Sequence, residues 1–207
     1  MDEVLVKKAM FSLKWEAEYK KRFEQKEYTA SKFLAVEDYL DADFARFFDN
    51  PKFMGSTILD IGTGTGEQAI YLAKKGFKVT ATDTSGLAIN YAKQQALQQN
   101  AQVNFIQDNI LLTTLNQQFD FVIDRGCFIL FAKEQCSEYL SIIKKLLKPT
   151  GWFLLKADNG KKKRIKILED DTELNIKTTE FSSYTRLDGK DIPALFFSIK
   201  HASNQLP

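Results

Sequence analysis

A glycine-rich turn between an apolar run and a helical pattern restricts the fold of this chain more than any other feature. Ile58–Ile61 is a short apolar run that contains one acid, and glycines follow at Gly62, Gly64 and Gly66. Beyond the last glycine, apolar residues recur at helical spacing as far as Lys75. The segment is therefore predicted to be a strand, a tight loop and a helix, with glycines that let the backbone approach a ligand closely.

A second predicted strand ends in a carboxylate where a bound ribose would lie. Lys78–Thr82 is rich in β-branched residues, and Asp83 follows it directly. In strand–helix–strand units with glycines at the first turn, an acid at the tip of the second strand accepts hydrogen bonds from ribose hydroxyls. Asp83 could instead cap the next helix, although Ser85 is already suited to that role. The pattern predicts a ligand that contains a nucleoside.

The glycine spacing distinguishes between nucleoside ligands. A dinucleotide site needs G-x-G-x-x-G, with the helix N-terminus facing a pyrophosphate. Here the third glycine is Gly66 and the next residue is Glu67, whose carboxylate would repel a pyrophosphate. No Gly-Lys-Ser/Thr follows, so the phosphate-loop signature is absent. An NAD-type oxidoreductase is therefore disfavoured and stays open only as an alternative.

Asp60 with the three glycines, followed by Asp83 after the second strand, resembles the first motifs of class I S-adenosylmethionine-dependent methyltransferases. The resemblance implies S-adenosyl-L-methionine as cofactor and methyl transfer as the reaction. It also implies the Rossmann-like methyltransferase fold, which is a doubly wound α/β fold. Its seven-stranded sheet is mostly parallel and ends in an antiparallel C-terminal hairpin.

The middle of the chain alternates strand and helix patterns, which predicts a parallel sheet with helices on both faces. The predicted strands are Thr57–Ile61, Lys78–Thr82, Val103–Gln107, Phe119–Asp124 and Gly151–Ala157, and the predicted helices are Glu67–Lys75, Ser85–Gln99 and Lys133–Leu147. Two further strand patterns, Ile176–Arg186 and Ile192–His201, flank a turn sequence and predict a hairpin. The basic run Lys161–Arg164 between them and the sheet is predicted to be a solvated loop.

Residues 1–54 are predicted to form a helical lid or cap segment, and residues 55–207 the cofactor-binding domain. Helices are predicted over Ser12–Lys26 and Ala30–Phe48. The second prediction rests on the helical spacing of Phe33, Val36, Tyr39, Leu40, Phe44 and Phe47. Trp15 and Tyr19 lie one turn apart. The resemblance, here to the thiopurine and tellurite-resistance branch, implies that this helix closes over the cofactor, with core packing of both rings as the alternative.

Ligands of open parallel sheets bind outside the carboxyl ends of the strands. The resemblance implies that residues from these ends hold the cofactor, and that Asp108 accepts from the adenine amino group. The implied cofactor-binding residues are Asp60, Gly62, Thr63, Gly64, Gly66, Asp83, Thr84, Asp108, Asn109 and Asp124, with Trp15 from the N-terminal helix.

The end of the fourth strand bears on the methyl acceptor. Methyltransferases of adenine N6 or glutamine amides usually carry Asn/Asp-Pro-Pro-Tyr/Phe here, whereas this chain has no proline between Pro51 and Pro149. Asp124-Arg125-Gly126 instead resembles the small-molecule branch. We expect a small-molecule acceptor, with Asp124 or Arg125 as the catalytic residue that orients it. A protein or nucleic-acid acceptor is one alternative, and a non-catalytic cofactor-binding protein is another.

Composition narrows the remaining classes. A net charge of +2 gives no strong signal for nucleic acid or an anionic membrane. Cys127, Cys136 and the single histidine, His201, lack the spacing of a metal site or a disulfide framework, and a Cys–His catalytic pair is disfavoured. The N-terminus lacks a secretory signal pattern, and no apolar run reaches the roughly 18 residues of a membrane span. We expect a cytoplasmic monomer or weak homodimer without a metal.

Overall fold

The computed structural model describes residues 3–25, 41–185 and 191–202. Within these ranges the chain forms one seven-stranded sheet and six α-helices. The strands are β1 (Thr57–Ile61), β2 (Lys78–Asp83), β3 (Val103–Gln107), β4 (Phe119–Arg125), β5 (Leu147–Asp158), β6 (Leu174–Thr185) and β7 (Asp191–His201). The helices are α1 (Glu3–Glu24), α2 (Ala42–Phe48), α3 (Glu67–Lys74), α4 (Gly86–Gln98), α5 (Lys133–Leu146) and α6 (Lys162–Glu169).

The sheet has the strand order β3-β2-β1-β4-β5-β7-β6. Strands β1 to β5 are parallel to one another, and β7 is antiparallel to both β5 and β6. The predicted mostly parallel sheet with a C-terminal antiparallel hairpin is confirmed. In register, Ile61 lies beside Thr82 of β2 and Asp124 of β4. The carboxyl ends of these three strands therefore meet at one edge of the sheet.

Two hydrophobic cores lie on opposite faces of the sheet, because successive strand residues point to opposite sides. Leu59 belongs to the core that also buries residues of α5 and α6. Its neighbour Ile58 belongs to the core that buries residues of α2, α3 and α4. Helices thus cover both faces of the sheet, as the alternating pattern predicts. A ligand site is therefore expected at the ends of the strands and not on a face.

The N-terminal part differs from the predicted boundaries. Helix α1 begins at Glu3, before the predicted start at Ser12. Of the predicted helix Ala30–Phe48, only Ala42–Phe48 lies in the described ranges, and Phe33, Val36, Tyr39 and Leu40 lie outside them. Phe44 and Phe47 do pack as the spacing predicts: the ring of Phe44 lies 5.2 Å from that of Phe196, and the ring of Phe47 lies 5.4 Å from that of Phe53.

The basic run was wrongly predicted to be a loop. Lys162–Glu169 is helix α6, and Lys161 is its N-cap residue. Ile165 and Leu168 are buried in the core beneath it, and their spacing of three residues places them on one helix face. This apolar pair fixes the helix, although the exposed lysines dominate the local composition.

The helices within these ranges include none that combines the length and apolarity needed to cross a membrane.

Candidate cofactor and active site

The glycine loop after β1 is packed too closely for side chains. A Cβ atom on Gly64, whose φ is +59°, would lie 2.8 Å from the Tyr19 hydroxyl oxygen. On Gly66, with φ of +88°, it would lie 2.8 Å from the Cβ of Ala92. Both backbone conformations favour glycine. At these two glycines the loop between β1 and α3 presents only backbone atoms, as the sequence pattern predicts.

Asp60, in β1, is hydrogen-bonded to a side chain of the glycine loop. Its side chain is buried, and Thr63 Oγ1 donates a hydrogen bond of 2.6 Å to Asp60 Oδ2. Burial, together with the nearby carboxylates of Asp124 and Asp83, raises the pKa of Asp60 to about 7. The first motif thus holds Asp60 and Thr63 together in a site that already contains several negative groups.

Asp83 joins the glycine loop to the end of β2. Its Oδ2 accepts from the backbone N–H of Gly64 at 3.0 Å, and its Oδ1 accepts from that of Ser85 at 2.9 Å. Burial raises the pKa of Asp83, and these hydrogen bonds oppose the shift. Each carboxylate oxygen has a further lone pair, so the side chain can still accept from a ligand hydroxyl. The capping role and the ligand role are therefore compatible.

The end of β3 carries an acceptor without a protein partner. The backbone N–H of Asp108 donates to the carbonyl of Asp83 at 2.9 Å, which places Asp108 beside the end of β2. Asp108 Oδ2 is buried and has no hydrogen-bond partner among the residues that the structure describes. Burial also raises the pKa of this carboxyl. A buried acceptor of this kind is costly unless a donor reaches it, so its position suits the amino group of a ligand.

Helix α1 lies over these strand ends through polar contacts. Ser12 Oγ accepts from Asn109 Nδ2 at 3.0 Å and contacts the hydroxyl of Thr84. One turn later, Glu16 Oε2 accepts from Ser85 Oγ at 2.6 Å. The predicted residues Thr84 and Asn109 are therefore brought together by α1. Ser12 was missed by the sequence analysis, because an isolated serine on a helix has no distinguishing pattern.

Trp15 lies on the same helix in an aromatic row. Its ring centroid is 6.4 Å from that of Phe11 and 6.2 Å from that of Tyr19. Phe11 in turn lies 5.0 Å from Phe131, in the segment after β4. Trp15 is half-buried. This row of rings runs along α1 from Tyr19, beside the glycine loop, to Phe11, which contacts the segment after β4. Helix α1 therefore forms one wall of the candidate site.

Asp124 is fully buried, and its oxygens are engaged by the protein. Oδ1 accepts from the backbone N–H of Cys127 at 2.7 Å; Oδ2 accepts from that of Phe128 at 2.8 Å and from the Tyr139 hydroxyl at 2.5 Å. Burial raises the pKa of Asp124 to about 6. These contacts shape the turn after β4. Tyr139 was not a predicted site residue, because its helical spacing in α5 indicates only core packing.

Arg125 occupies the rim beside this turn. Its Nε donates to Asp41 Oδ2 at 3.2 Å. Desolvation raises the pKa of Glu67, a half-buried residue at the start of α3, and the hydrogen bond from Thr65 and, more weakly, the charge of Arg125 oppose this shift. A carboxylate at this helix N-terminus is unfavourable for a pyrophosphate, in agreement with the interpretation of the glycine spacing.

Cys127 and His201 do not form a pair. Burial raises the pKa of the Cys127 thiol well above its usual range, so the thiol is protonated at neutral pH. Ala194 pairs with Asp158 at the carboxyl end of β5, and Ile199 pairs with Phe153 in its middle, so His201 lies away from the carboxyl ends of the parallel strands. The thiol and the imidazole are therefore at opposite ends of the sheet.

Comparisons with known proteins agree with this geometry. Residues 58–151 match the family described as methyltransferase domain. A ubiquinone biosynthesis O-methyltransferase of Rickettsia bellii is 33% identical over 107 residues, which is 51% of this chain and 43% of that protein. The chain spans less than half the length of the curated relatives that it first matches.

Two solved structures share the fold. A magnesium protoporphyrin IX methyltransferase from Synechocystis with bound SAM has a TM-score of 0.73 at 19% identity, over 93% of this chain and 96% of that one. A TehB-like SAM-dependent methyltransferase from Corynebacterium glutamicum has a TM-score of 0.66 at 20% identity, over 90% and 97%. Residues 58–151 thus match a methyltransferase-domain family, and the chain has the fold of class I S-adenosylmethionine-dependent methyltransferases.

Proposed function

We propose that this protein is an S-adenosylmethionine-dependent methyltransferase. The observation that carries the proposal is the convergence of the glycine loop with Asp83 and with Oδ2 of Asp108, which no donor of the described residues reaches, at one edge of the sheet. A nucleoside with hydroxyls at one end and an amino group at the other matches these acceptors. The matching domain family at residues 58–151 supports the same assignment.

The residues would hold S-adenosylmethionine in an extended pose along the strand ends. Asp83 accepts from the ribose hydroxyls, and Asp108 accepts from the adenine amino group. The loop from Gly62 to Gly66 faces the methionine portion. The carboxylates of Asp124 and Asp83 act on Asp60 and raise its pKa, so the surroundings are complementary to a sulfonium and an ammonium.

Residues 1–54 act as the cover of the site in this proposal, and residues 55–207 as the catalytic domain. Helix α1 supplies Ser12 and Trp15 above Thr84 and Asn109. The cover would exclude water from the reacting atoms, which strengthens electrostatic interactions inside the site.

When bound, S-adenosylmethionine supplies an activated methyl group, and transfer needs an acceptor atom in line at about 3 Å. The protein's contribution is then mainly to position the acceptor. Arg125, on the rim after β4, is suited to orient it. Asp124 is an unsuitable base, because both of its oxygens already accept hydrogen bonds from the protein. Asp124 instead acts by fixing the turn on the methyl side. An acceptor that is already a good nucleophile needs no strong base.

A small-molecule acceptor fits best. The end of β4 lacks the prolines typical of enzymes that methylate planar amides, and the relatives reported above include a ubiquinone biosynthesis and a protoporphyrin methyltransferase by name. The acceptor would enter between the turn after β4 and α1.

Two measurements test the proposal. Isothermal titration calorimetry with S-adenosylhomocysteine should show saturable binding, whereas NADH should not bind. Labelled S-adenosylmethionine is then incubated with a panel of thiols, phenols, carboxylic acids and amines, beside total protein and RNA. Methyl incorporation into a small molecule is expected. Binding of NADH in place of S-adenosylhomocysteine contradicts the cofactor, and incorporation only into protein or RNA contradicts the acceptor class.

A further inference from the structure

Helix α5 contributes a buried hydroxyl that the proposed chemistry does not use directly. Tyr139 has no exposed surface, and its hydroxyl donates to Asp124 Oδ2 at 2.5 Å. We propose that Tyr139 is a positioning residue of the cofactor site, which acts through Asp124 on the turn after β4 and through Cys127 on the glycine loop. This inference rests on the proposed function, since it concerns the same site.

The first link joins α5 to β4. A tyrosine hydroxyl without solvent contact needs a partner, and the carboxylate of Asp124 is the partner that it has. Hydrogen bonds to an ionised acceptor are about twice as strong as neutral ones. The rings of Phe128 and Phe131 lie 5.4 and 5.2 Å from that of Tyr139, so its orientation is fixed by packing. Helix α5 therefore sets the position of the Asp124 carboxylate.

The second link joins Asp124 to the turn that follows it. The carboxylate accepts from the backbone N–H groups of Cys127 and Phe128, and so holds the chain as it leaves β4. The ionised form accepts from all three donors. A protonated carboxyl group would turn one oxygen into a donor and lose at least one of these bonds.

The third link joins the turn to the glycine loop. A Cβ atom on Gly62 would lie 3.0 Å from Cβ and 3.2 Å from Sγ of Cys127. The side chain of Cys127 thus packs against the Gly62 backbone, and a displacement of Cys127 is felt at Gly62. The neighbouring Gly64 N–H binds Asp83, so the same contact reaches the proposed ribose acceptor.

These links give the proposal a signature in pH. Besides Tyr139, the titratable groups of the described residues that act on this region are Asp60 from β1, Glu67 from α3, Asp83 from β2, Cys127 from the turn and Cys136 from α5. Burial raises the pKa of Asp124 to about 6, and the hydrogen bond from Tyr139 is the largest effect that lowers it. The turn is held by the ionised form, so its order is lost as pH falls through this value. Without the hydroxyl, the loss must begin at a higher pH.

The test compares wild type with Tyr139→Phe, which removes only the hydroxyl. Calorimetry with S-adenosylhomocysteine between about pH 5 and pH 8 should show roughly three- to ten-fold weaker binding in the variant, and a midpoint of the acidic decline at higher pH. A merely structural defect would weaken binding by the same factor at every pH. Tyr71→Phe is the matched control, since Tyr71 is a half-buried tyrosine in α3. This variant should leave the affinity for S-adenosylhomocysteine and the pH midpoint unchanged.

A second readout follows the turn itself. Cys127 is labelled with an aromatic disulfide reagent in a Cys136→Ser background, and Tyr139→Phe should raise the labelling rate several-fold. In wild type the labelling rate should change in a step near the pKa of Asp124, because protonation of this carboxylate releases the turn. In Asp124→Asn, which keeps the shape of the side chain, this step should disappear. Unchanged labelling and an unchanged pH midpoint in folded Tyr139→Phe would overturn the positioning role. If wild type itself fails to bind S-adenosylhomocysteine, the proposed function fails, whereas the labelling experiment still tests Tyr139.

Discussion

The backbone N–H of Gly64 donates a hydrogen bond of 3.0 Å to Oδ2 of Asp83, so the glycine loop and the acid that ends β2 form a single unit. The two residues lie 19 positions apart in the chain. The parallel pairing of β1 with β2 aligns the ends of both strands and brings them into contact. Because of this contact, a change at either residue should be felt at the other.

Replacing Asp83 with Ala should weaken S-adenosylhomocysteine binding by about 1–3 kcal/mol, which is the scale of hydrogen bonds to a charged group. The loss includes direct contacts to the ligand and the hold on Gly64. Calorimetry measures it, with Asp49→Ala on the surface as control. Asp83→Asn keeps the side-chain size and should lose less. Wild-type affinity in the folded Ala variant would remove the role assigned to Asp83.

Replacing Gly64 with Ala should reduce both stability and cofactor affinity. The backbone conformation alone costs about 1–2 kcal/mol for a residue with a Cβ atom, and the new methyl group would meet the Tyr19 hydroxyl at 2.8 Å. Gly55→Ala is a matched control, since Gly55 also has a positive φ, of +78°, but nothing within 4 Å of an added Cβ. Urea unfolding should show a smaller loss for Gly55→Ala.

The Tyr19 contact can be separated from backbone strain by a double variant. Adding Tyr19→Phe to Gly64→Ala removes the hydroxyl that the methyl group meets, so part of the lost cofactor affinity should return. If the double variant binds no better than Gly64→Ala, then α1 does not press on the glycine loop, and its role as a wall of the site is weakened.

Much of this fold could be predicted because its signals are local. Residues 57–61 and 103–107 have the strand boundaries that their β-branched runs indicate, and Ser85 caps α4 through its contact with the N–H of Ala88. Helix α6 was missed because a run of lysines hid the two apolar residues, Ile165 and Leu168, whose burial depends on the distant strand packing. The composition of this segment reflects its exposed residues, so it does not reveal a helix in which only one turn is buried.

The site was predicted less completely than the fold. Asp83 was predicted from its place at the end of the strand that follows the glycine turn, whereas Asp60 and Asp108 were predicted from the resemblance to a known family. The contacts of Ser12 with Asn109, and of Tyr139 with Asp124, join residues that are 97 and 15 positions apart. Such contacts depend on how helices pack over the sheet, which no spacing in the chain encodes. The sequence therefore indicates the carboxylates, whereas the structure is needed to see what orients them.

Replacing Asp60 with Asn should change the pH dependence of stability. The folded pKa of Asp60 is raised from 3.8 to about 7, so the folded state holds the proton more tightly than the unfolded state. Its contribution to stability is therefore favourable at acidic pH and is lost as pH rises from about 4 to about 7. Asn mimics the protonated form. Chemical unfolding should show Asp60→Asn close to wild type near pH 4 and more stable than wild type near pH 8. A constant difference across this range would contradict the raised pKa.

Replacing Lys156 with Met should destabilise the protein strongly. Lys156 is buried at the end of β5; its Nζ lies 2.6 Å from both oxygens of Asp41 and 2.8 Å from Oδ2 of Asp43. The side chain of Asp41 is only 4% exposed, and removing the cation leaves it and Asp43 without their main buried counter-charge. Breaking one side of such a buried pair costs about 3–5 kcal/mol. Urea unfolding measures the loss. Lys166→Met, in the exposed pair with Asp170, should change stability far less, because solvent screens an exposed ion pair. Equal effects of the two substitutions would mean that the Lys156 cluster does not anchor the start of α2 to the sheet.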